Sequence, residues 1–427
     1  MTLTPKGYKP RLIDSKIRRF LDAFGAVSVE GAKWCGKTWA ALNQSESCFM
    51  VGDPQGNFSN RNLAQISPLS VLDGAPPRLV DEWQEVPSLW DAVRAQVDAL
   101  GKPGLFLLTG SSVPNRHGVM HSGTGRIARL PMRPMSLLES GDSSGEVSLS
   151  GILDNRIEPR STGEVSLSDL VFFILRGGWP ASLSPKREAA VELPKAYIRS
   201  VLEEDVFRID DVKRDPHKFR LLLRSLARNE STVASAATLR RDITEYDGEA
   251  LSEDTLADYL NVLRKIYLID DQPAFNPNMR SSVRVGKSVK RHLVDPSLAA
   301  ALLGANEKRL ASDLNTLGFL FEALCIRDLR IYGEHLGASL FHYRDSYGRE
   351  LDAVLECPDG TWAAFETKLG AHQIDAAAES LLALKKDMEK DPHAIPPTAL
   401  CVVCGMSSAA YQRPDGVLVT PITALGV

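Results

Sequence analysis

The chain has 427 residues, 44% of them hydrophobic and 24% charged, so it can bury more than one core, and two or three domains are expected. A formal net charge of −4 excludes nucleic-acid binding by bulk electrostatics; any such contact needs a local basic surface. No apolar run approaches the ~20 residues that span a bilayer, the first residues carry no apolar signal core, and six cysteines in a chain this size do not make a disulfide framework, so a reducing, cytoplasmic address with no membrane partner is expected.

In chain order, Gly25-Ala26-Val27-Ser28-Val29-Glu30 reads as a short buried strand, and Thr38-Trp39-Ala40-Ala41-Leu42-Asn43 as the first turns of a helix. Between them, Gly31-Ala32-Lys33-Trp34-Cys35-Gly36-Lys37-Thr38 satisfies every position of G-x-x-x-x-G-K-[ST]. That pattern describes a loop whose backbone N–H groups wrap a polyphosphate. Gly31 and Gly36 permit the turns, Lys37 supplies a point charge for the β and γ phosphates, and the Thr38 hydroxyl takes one place on Mg²⁺. The helix N-terminus favours anions, and Trp39 is counted with these residues as nucleotide-binding. The implied ligand is ATP with Mg²⁺.

Pro77-Arg78-Leu79-Val80-Asp81-Glu82-Trp83 is an apolar strand ending in two adjacent carboxylates. Beside a phosphate loop, Asp81 is expected to hold Mg²⁺ through water and Glu82 to polarise the water that attacks the γ-phosphate. Taken alone, such a strand end also suits solvent. Gly104-Leu105-Phe106-Leu107-Leu108-Thr109-Gly110-Ser111-Ser112 is a further apolar strand that stops on small polar residues. In a parallel sheet, strand carboxyl ends gather at the ligand crevice. Ser111 or Ser112 is either a helix cap or a contact to the γ-phosphate.

Residues 139–168 are rich in Ser, Gly and acidic residues, and contain Gly-Glu-Val-Ser-Leu-Ser twice, from Gly145 and from Gly163. Two copies do not make a repeat architecture, so an inserted loop or hairpin is expected. Helical patterns follow to about Arg241, interrupted at Gly177-Gly178-Trp179-Pro180, where a helix must stop. From Pro216 to about Arg291 the pattern suits a winged helix, with helices at 218–227, 232–242 and 252–266 and a strand pair near 267–269 and 289–293. The third helix opens on Glu253, Asp254 and Asp258, charges that repel phosphates. Arg280, Arg284, Lys287, Lys290 and Arg291 on the wing form either a phosphate-contacting patch or a solvated basic loop. Cys401-Val402-Val403-Cys404 lies in an apolar run and reads as a buried strand rather than a metal or redox site.

Toward the C-terminus, Glu322 sits on a helix expected over 318–331. A strand at 348–355, a turn at Pro358-Asp359-Gly360 and a returning strand at 361–368 follow. Glu366 and Lys368 share one face of the returning strand, and Asp352 can meet them across the hairpin. This Glu, Asp, Glu-x-Lys order resembles the PD-(D/E)xK nuclease site, in which the carboxylates, here Asp352 and Glu366, hold Mg²⁺ and the lysine steadies the attacking water and the phosphate charge.

Taken together, the phosphate loop, the Asp81-Glu82-Trp83-Gln84-Glu85-Val86-Pro87 run, Thr109 to Ser112, Gly125-Arg126 and Gly177-Gly178-Trp179-Pro180 resemble the bacterial and archaeal AAA-type (STAND-like) P-loop ATPases that carry a C-terminal domain with a restriction-endonuclease-like core. The resemblance implies an α/β fold. Its expected parts are an ATPase core with an inserted loop (1–168), a helical lid with a winged-helix region (169–300) and a restriction-endonuclease-like domain (301–427). It implies ATPase activity, with Ser111 as a γ-phosphate sensor, Gly178 and Pro180 packing beside the adenosine, and Arg126 as an arginine finger offered to a neighbouring copy. Arg129 is the alternative finger, and an ion pair within one chain the structural alternative. Two outputs follow: an ATP-driven switch or motor whose C-terminal domain cuts or binds DNA or RNA through Glu322, Asp352, Glu366 and Lys368, or a regulatory ATPase whose C-terminal domain binds a protein through a catalytically inactive module. A homo-oligomer fits both.

Overall fold

The computed structural model describes residues 2–112, 119–203, 206, 212, 214–248, 251–278, 289–345, 348–390 and 394–427. The chain divides into two compact units. One comprises Met1–Pro134, Val201–Arg214 and Tyr259–Leu268; the other comprises Met135–Ser200, Asp215–Asp258 and Ile269–Val427.

In the first unit the short apolar runs become β1 (Ala26–Glu30), β2 (Ser47–Met50), β3 (Arg78–Asp81), β4 (Phe106–Gly110) and β5 (Ile127–Pro131). All pairings are parallel, in the order β2-β3-β4-β1-β5. Every residue of β1 and β4 is buried, as expected of central strands covered on both faces. Val80, Leu108, Trp83, Trp90 and Val93 belong to one core cluster, in which the Trp83 and Trp90 rings lie 4.7 Å apart. Because β4 lies between β1 and β3, the ends of the strands carrying the phosphate loop, Thr109 and Asp81-Glu82 are brought side by side.

The second unit is built on a mixed sheet. Its strands are β7 (Arg160–Ser161), β10 (Ser339–Arg344), β11 (Glu350–Glu356), β12 (Trp362–Gly370), β13 (Ala399–Met406), β14 (Ala409–Gln412) and β15 (Leu418–Pro421), in the order β10-β11-β12-β13-β15-β14-β7. The first three are antiparallel, and β12, β13 and β15 run parallel. Helix Ile374–Met388 makes the crossover from β12 to β13 and buries Ala377, Leu381 and Leu384 against Val402 and Val419. Cys401 and Cys404 are buried free thiols on β13, as the apolar run predicts.

A helical middle region precedes this sheet, with helices Pro216–Arg228, Ala236–Asp247 and Glu253–Lys265. Ser252 Oγ accepts from Thr255 N at 3.0 Å, the expected N-cap, and Ser235 caps the second helix, which starts later than its sequence pattern suggests. The strand pair forms as β8 (Ile269–Gln272) and β9 (Lys290–Leu293), antiparallel with Gln272 opposite Lys290.

Residues 139–168 differ from the expectation of an insertion in the ATPase core. They belong to the second unit, where β6 (Val147–Ser148) pairs with β16 (Leu425–Gly426) and β7 extends the large sheet. The repeated hexapeptide has a local cause. Its fourth residue caps a helix both times: Ser148 accepts from Gly151 N, and Ser166 from Asp169 N. No helix among the described residues is long and apolar enough to cross a membrane.

Candidate active site

The loop after β1 is shaped by its backbone. Trp34 and Gly36 take left-handed conformations, with φ of 65° and 103°, the kind of alternation from which anion-binding backbone turns are built. Gly31 is required sterically, because a Cβ there would come within 2.1 Å of the Met132 carbonyl oxygen. Lys37 opens helix Lys37–Leu42, is buried, and bonds the Ala32 carbonyl across the loop at 2.9 Å. Arg11 braces the loop from outside, donating to the carbonyls of Cys35 and Arg133 at 2.8 Å each. Trp34 and Trp39 flank this region with 51% and 47% of their surface exposed, an aromatic exposure that the polar loop chemistry does not require.

Thr38 Oγ1 donates to Asp81 Oδ1 at 2.8 Å, so the two expected Mg²⁺ contacts are adjacent. Burial pushes the Asp81 carboxyl up, while hydrogen bonds from Thr109 and Thr38 pull it back down. Thr109, part of the expected strand end, takes a role that the sequence alone does not assign to it. Its hydroxyl donates to Asp81 Oδ1 at 2.7 Å and accepts from Glu82 N at 3.0 Å, joining the two carboxylate residues through one buried atom. Glu82 holds φ at +56°, an uncommon conformation for a side-chain-bearing residue, at the point where β3 ends. Its Oε2 accepts from Ser111 Oγ at 3.0 Å and from Gln84 Nε2. Ser111 is therefore a partner of Glu82.

Glu30, directly before the loop, was also unmarked by its sequence. It accepts from Ser28 at 2.9 Å and Tyr267 at 2.7 Å, and lies 3.6 Å from Arg129. Arg129 also lies over the Trp90 ring. Arg126 is half-exposed and pairs with Asp98 at 2.8 Å. Within one chain both finger candidates are thus held in intrachain contacts.

Gly178 and Pro180, expected beside adenosine, lie in the second unit. There the Gly178 N–H is taken by Asp295 Oδ2 at 2.9 Å and its carbonyl by Met135 N at 2.6 Å, and a Cβ would come within 2.0 Å of the Met135 carbonyl oxygen. Close backbone packing accounts for this glycine, and both of its backbone groups are hydrogen-bonded within the unit. Pro180 opens the short 3-10 turn Pro180–Leu183.

The second unit also gathers the expected carboxylates. The β11–β12 register, Ala353 opposite Phe365, brings Asp352 level with Glu366. Lys368 Nζ bonds Glu366 Oε2 at 2.7 Å and stands 4.0 Å from Asp352 Oδ2, while the Thr367 N–H and hydroxyl donate to Asp352 Oδ2 at 2.8 and 2.9 Å. Glu322, on helix Leu314–Leu336, is ion-paired with Lys290 from β9. Lys290 is 3% exposed, so it is not the surface wing residue that its sequence context suggests. Arg291 donates to the Ala234 carbonyl at 2.7 Å; Arg280, Arg284 and Lys287 lie outside the described residues.

Burial and the Asp352 charge push Glu322 up to about 8 and Glu366 up to about 7. Burial pulls both lysines down, but the surrounding carboxylates outweigh it and hold the ammonium groups above their ordinary values. Among the described residues, no group of three or more His, Cys, Asp or Glu side chains is arranged to hold a metal ion.

Behind this centre, Gln272 Nε2 donates to the carbonyls of Asp352 and Phe341 at 2.9 Å each, and Gln272 Oε1 faces His292 Nε2 at 3.0 Å. His292 Nδ1 faces Glu230 Oε1 at 2.9 Å. Burial holds His292 neutral and pushes Glu230 up to about 8. Since Gln272 Oε1 only accepts, Nε2 must donate, and a protonated Glu230 then donates to Nδ1.

A five-stranded parallel sheet carries a phosphate loop after β1 and a carboxylate pair at the end of β3, the arrangement of a P-loop nucleotide-binding domain. Residues 23–140 match the family model described as an AAA domain. Residues 167–309 and 317–425 match two domains of unknown function, DUF8612 and DUF4143. Two relatives, the uncharacterized proteins Rv2008c of Mycobacterium tuberculosis and Mb2031c of Mycobacterium bovis, are each 24% identical over 363 residues, covering 83% of this chain and 72% of the relative. The solved structure of the Walker-type ATPase paby2304 of Pyrococcus abyssi is similar over 71% of this chain and 98% of its own, at 15% identity and a TM-score of 0.46.

Proposed function

We propose that the chain is a Mg²⁺-dependent ATPase that works as a nucleotide-driven switch or motor. The observation that supports this most directly is the Thr38–Asp81–Thr109–Glu82 chain of hydrogen bonds at the mouth of the phosphate loop. A hydroxyl and a carboxylate oxygen, adjacent and both hard ligands, fit Mg²⁺ with water completing its shell, and the bound ion would neutralise charge on the β and γ phosphates. Lys37 exchanges its bond to Ala32 for the phosphates, while the loop N–H groups and the helix N-terminus hold their oxygens. Glu82 Oε2 is occupied by Ser111 and Gln84, which leaves Oε1 to take the proton of the attacking water. Ser111 bears on the γ-phosphate through Glu82, and the exposed Trp39 supplies an aromatic face next to the loop. Arg126 reaches a neighbouring copy's phosphates only by leaving Asp98.

Calorimetry and hydrolysis assays on two variants test this reading. Lys37→Ala should lose triphosphate affinity, and Glu82→Gln should bind ATP with parental affinity but hydrolyse it slowly. Parental affinity in the first or a parental rate in the second refutes the assignment.

For the second unit, the convergence of Asp352, Glu366 and Lys368 supports a restriction-endonuclease-like arrangement; the third helix of the expected winged helix belongs from Tyr259 on to the first unit. The buried Lys290–Glu322 pair favours the reading of this domain as a module without metal-dependent nuclease activity, acting through a protein partner rather than by cutting DNA or RNA. Plasmid nicking by the parent in Mn²⁺ or Mg²⁺ that Asp352→Asn abolishes would refute that reading.

A further inference from the structure

A strand lysine buried to 3% exposure needs a reason, because an ammonium loses several kcal/mol of hydration when it leaves water. The reason on the page is the carboxylate centre. Gln272 stands opposite Lys290 in the β8–β9 register, and its side-chain amide bonds the Asp352 carbonyl at 2.9 Å. One residue therefore ties the backbone of Lys290 to the backbone of Asp352. The Lys290 ammonium enters from β9, pairs with Glu322, and is held by the charges of Asp352 and Glu350 as well.

One oxygen of each strand carboxylate is already engaged. Asp352 Oδ2 accepts twice from Thr367, and Glu366 Oε2 accepts from Lys368. A divalent ion entering here would meet the Lys290 ammonium beside Glu322 as well as Lys368, and withdrawing the Lys290 charge removes that repulsion.

We propose that Lys290 takes the place of a divalent cation in this centre, so that the chain neutralises its own carboxylates, and that removing the Lys290 charge converts the centre into a divalent-cation site. The inference rests on the reading of the second unit as lacking a metal-dependent nuclease centre, and is independent of ATP hydrolysis. Lys290 acts here as a positioning residue. Its ammonium fixes Glu322 and keeps the space between the helix and the hairpin strands.

The test is Mn²⁺ binding to the full-length protein without nucleotide, followed by the electron paramagnetic resonance of free Mn²⁺. Asp81→Asn is present throughout to silence the phosphate-loop carboxylate. The parent of this series should show no Mn²⁺ site that Asp352→Asn removes. Lys290→Met should gain one Mn²⁺ site at least about tenfold tighter than any binding by the parent, because a unit charge at contact distance has been withdrawn from the ion's environment. Asp352→Asn added to Lys290→Met should abolish that site.

Lys290→Gln, which keeps a donor for Glu322, serves as a second variant if the methionine protein melts prematurely. A folded Lys290→Met or Lys290→Gln protein with no new site overturns the proposal while leaving the nuclease-free reading intact. An Asp352-dependent Mn²⁺ site in the parent overturns both.

Discussion

Thr109→Val removes one hydroxyl from the first unit and leaves the strand otherwise suited to its place, since valine is β-branched and β4 is buried throughout. The hydroxyl makes two contacts, a charge-assisted bond to Asp81 at 2.7 Å and an acceptor for the Glu82 N–H at 3.0 Å. Losing the first forfeits a bond of the kind worth about 1.5–3 kcal/mol, and orphaning the second leaves a partly buried donor at about 1–3 kcal/mol. These overlap in one relaxed site, so a loss of about 2–4 kcal/mol in unfolding free energy is expected. The functional effect is separate. The Glu82 N–H bond helps to hold φ at +56°, and releasing it lets the carboxylate drift from the attacking water. A shift on the order of an ångström costs about 100-fold in rate.

Asp81 already titrates above its ordinary value because it is buried, and the hydrogen bond from Thr109 is what most opposes that shift. Without it the carboxyl rises further, so the acid limb of the ATPase pH profile should move to higher pH in the variant. Urea unfolding and initial rates of phosphate release across pH measure all three effects. A Thr109→Val protein with parental stability, parental kcat and an unmoved acid limb would refute the role assigned to this residue.

Raised carboxyls in the second unit make its stability depend on pH in an unusual sense. Glu230 and Glu322 hold protons to about pH 8 and Glu366 to about 7 in the fold, against ordinary values of 4.5, so the folded chain binds more protons than the unfolded one across that window. Stability should therefore fall as pH rises from about 5 to 8, as read by calorimetric thermal melting; a melting temperature that climbs over this range would contradict the assigned protonation. Arg126→Ala breaks a half-exposed pair with Asp98, and folding should be nearly indifferent to it. If Arg126 serves a neighbouring copy, the specific ATPase rate of the parent should rise with protein concentration and that of the variant should not; strict proportionality in both leaves Arg126 to Asp98.

How much of this was legible follows from how local each feature's cause is. The phosphate loop and the Asp81-Glu82 strand end could be read because their chemistry sits on consecutive residues, and strand ends of a parallel sheet fall where ligands bind. Thr109 stood inside a recognised strand end. Its task of bridging two residues on another strand follows from β4 lying between β1 and β3, an order that the residues themselves do not state. The repeated Gly-Glu-Val-Ser-Leu-Ser was visible and its cause equally local: a serine three residues before a free helix N–H, twice over. Two short copies carry no architecture, only two helix caps.

Lys290 marks the limit of that kind of reading. In Val289-Lys290-Arg291-His292-Leu293 it has basic neighbours, and a run with that composition is ordinarily solvated. Only pairing inverts the expectation. β8 and β9 turn Lys290 and His292 inward, toward Glu322 and the Glu230–Gln272 relay, and Arg291 toward the Ala234 carbonyl, so the alternation of a strand buries two of three adjacent basic residues on one face and sends the third to the other. The partner that explains the lysine, Glu322, is remote in sequence and lies on another element. Carboxylates that look like a metal set in sequence order are therefore undetermined until the cation that faces them is known, because an ammonium and a divalent ion call for the same acidic residues. The nuclease-like pattern and the lysine-neutralised centre differ by one residue that belongs to neither strand of the motif, which is why charge withdrawal at Lys290 separates them more sharply than any substitution within the motif.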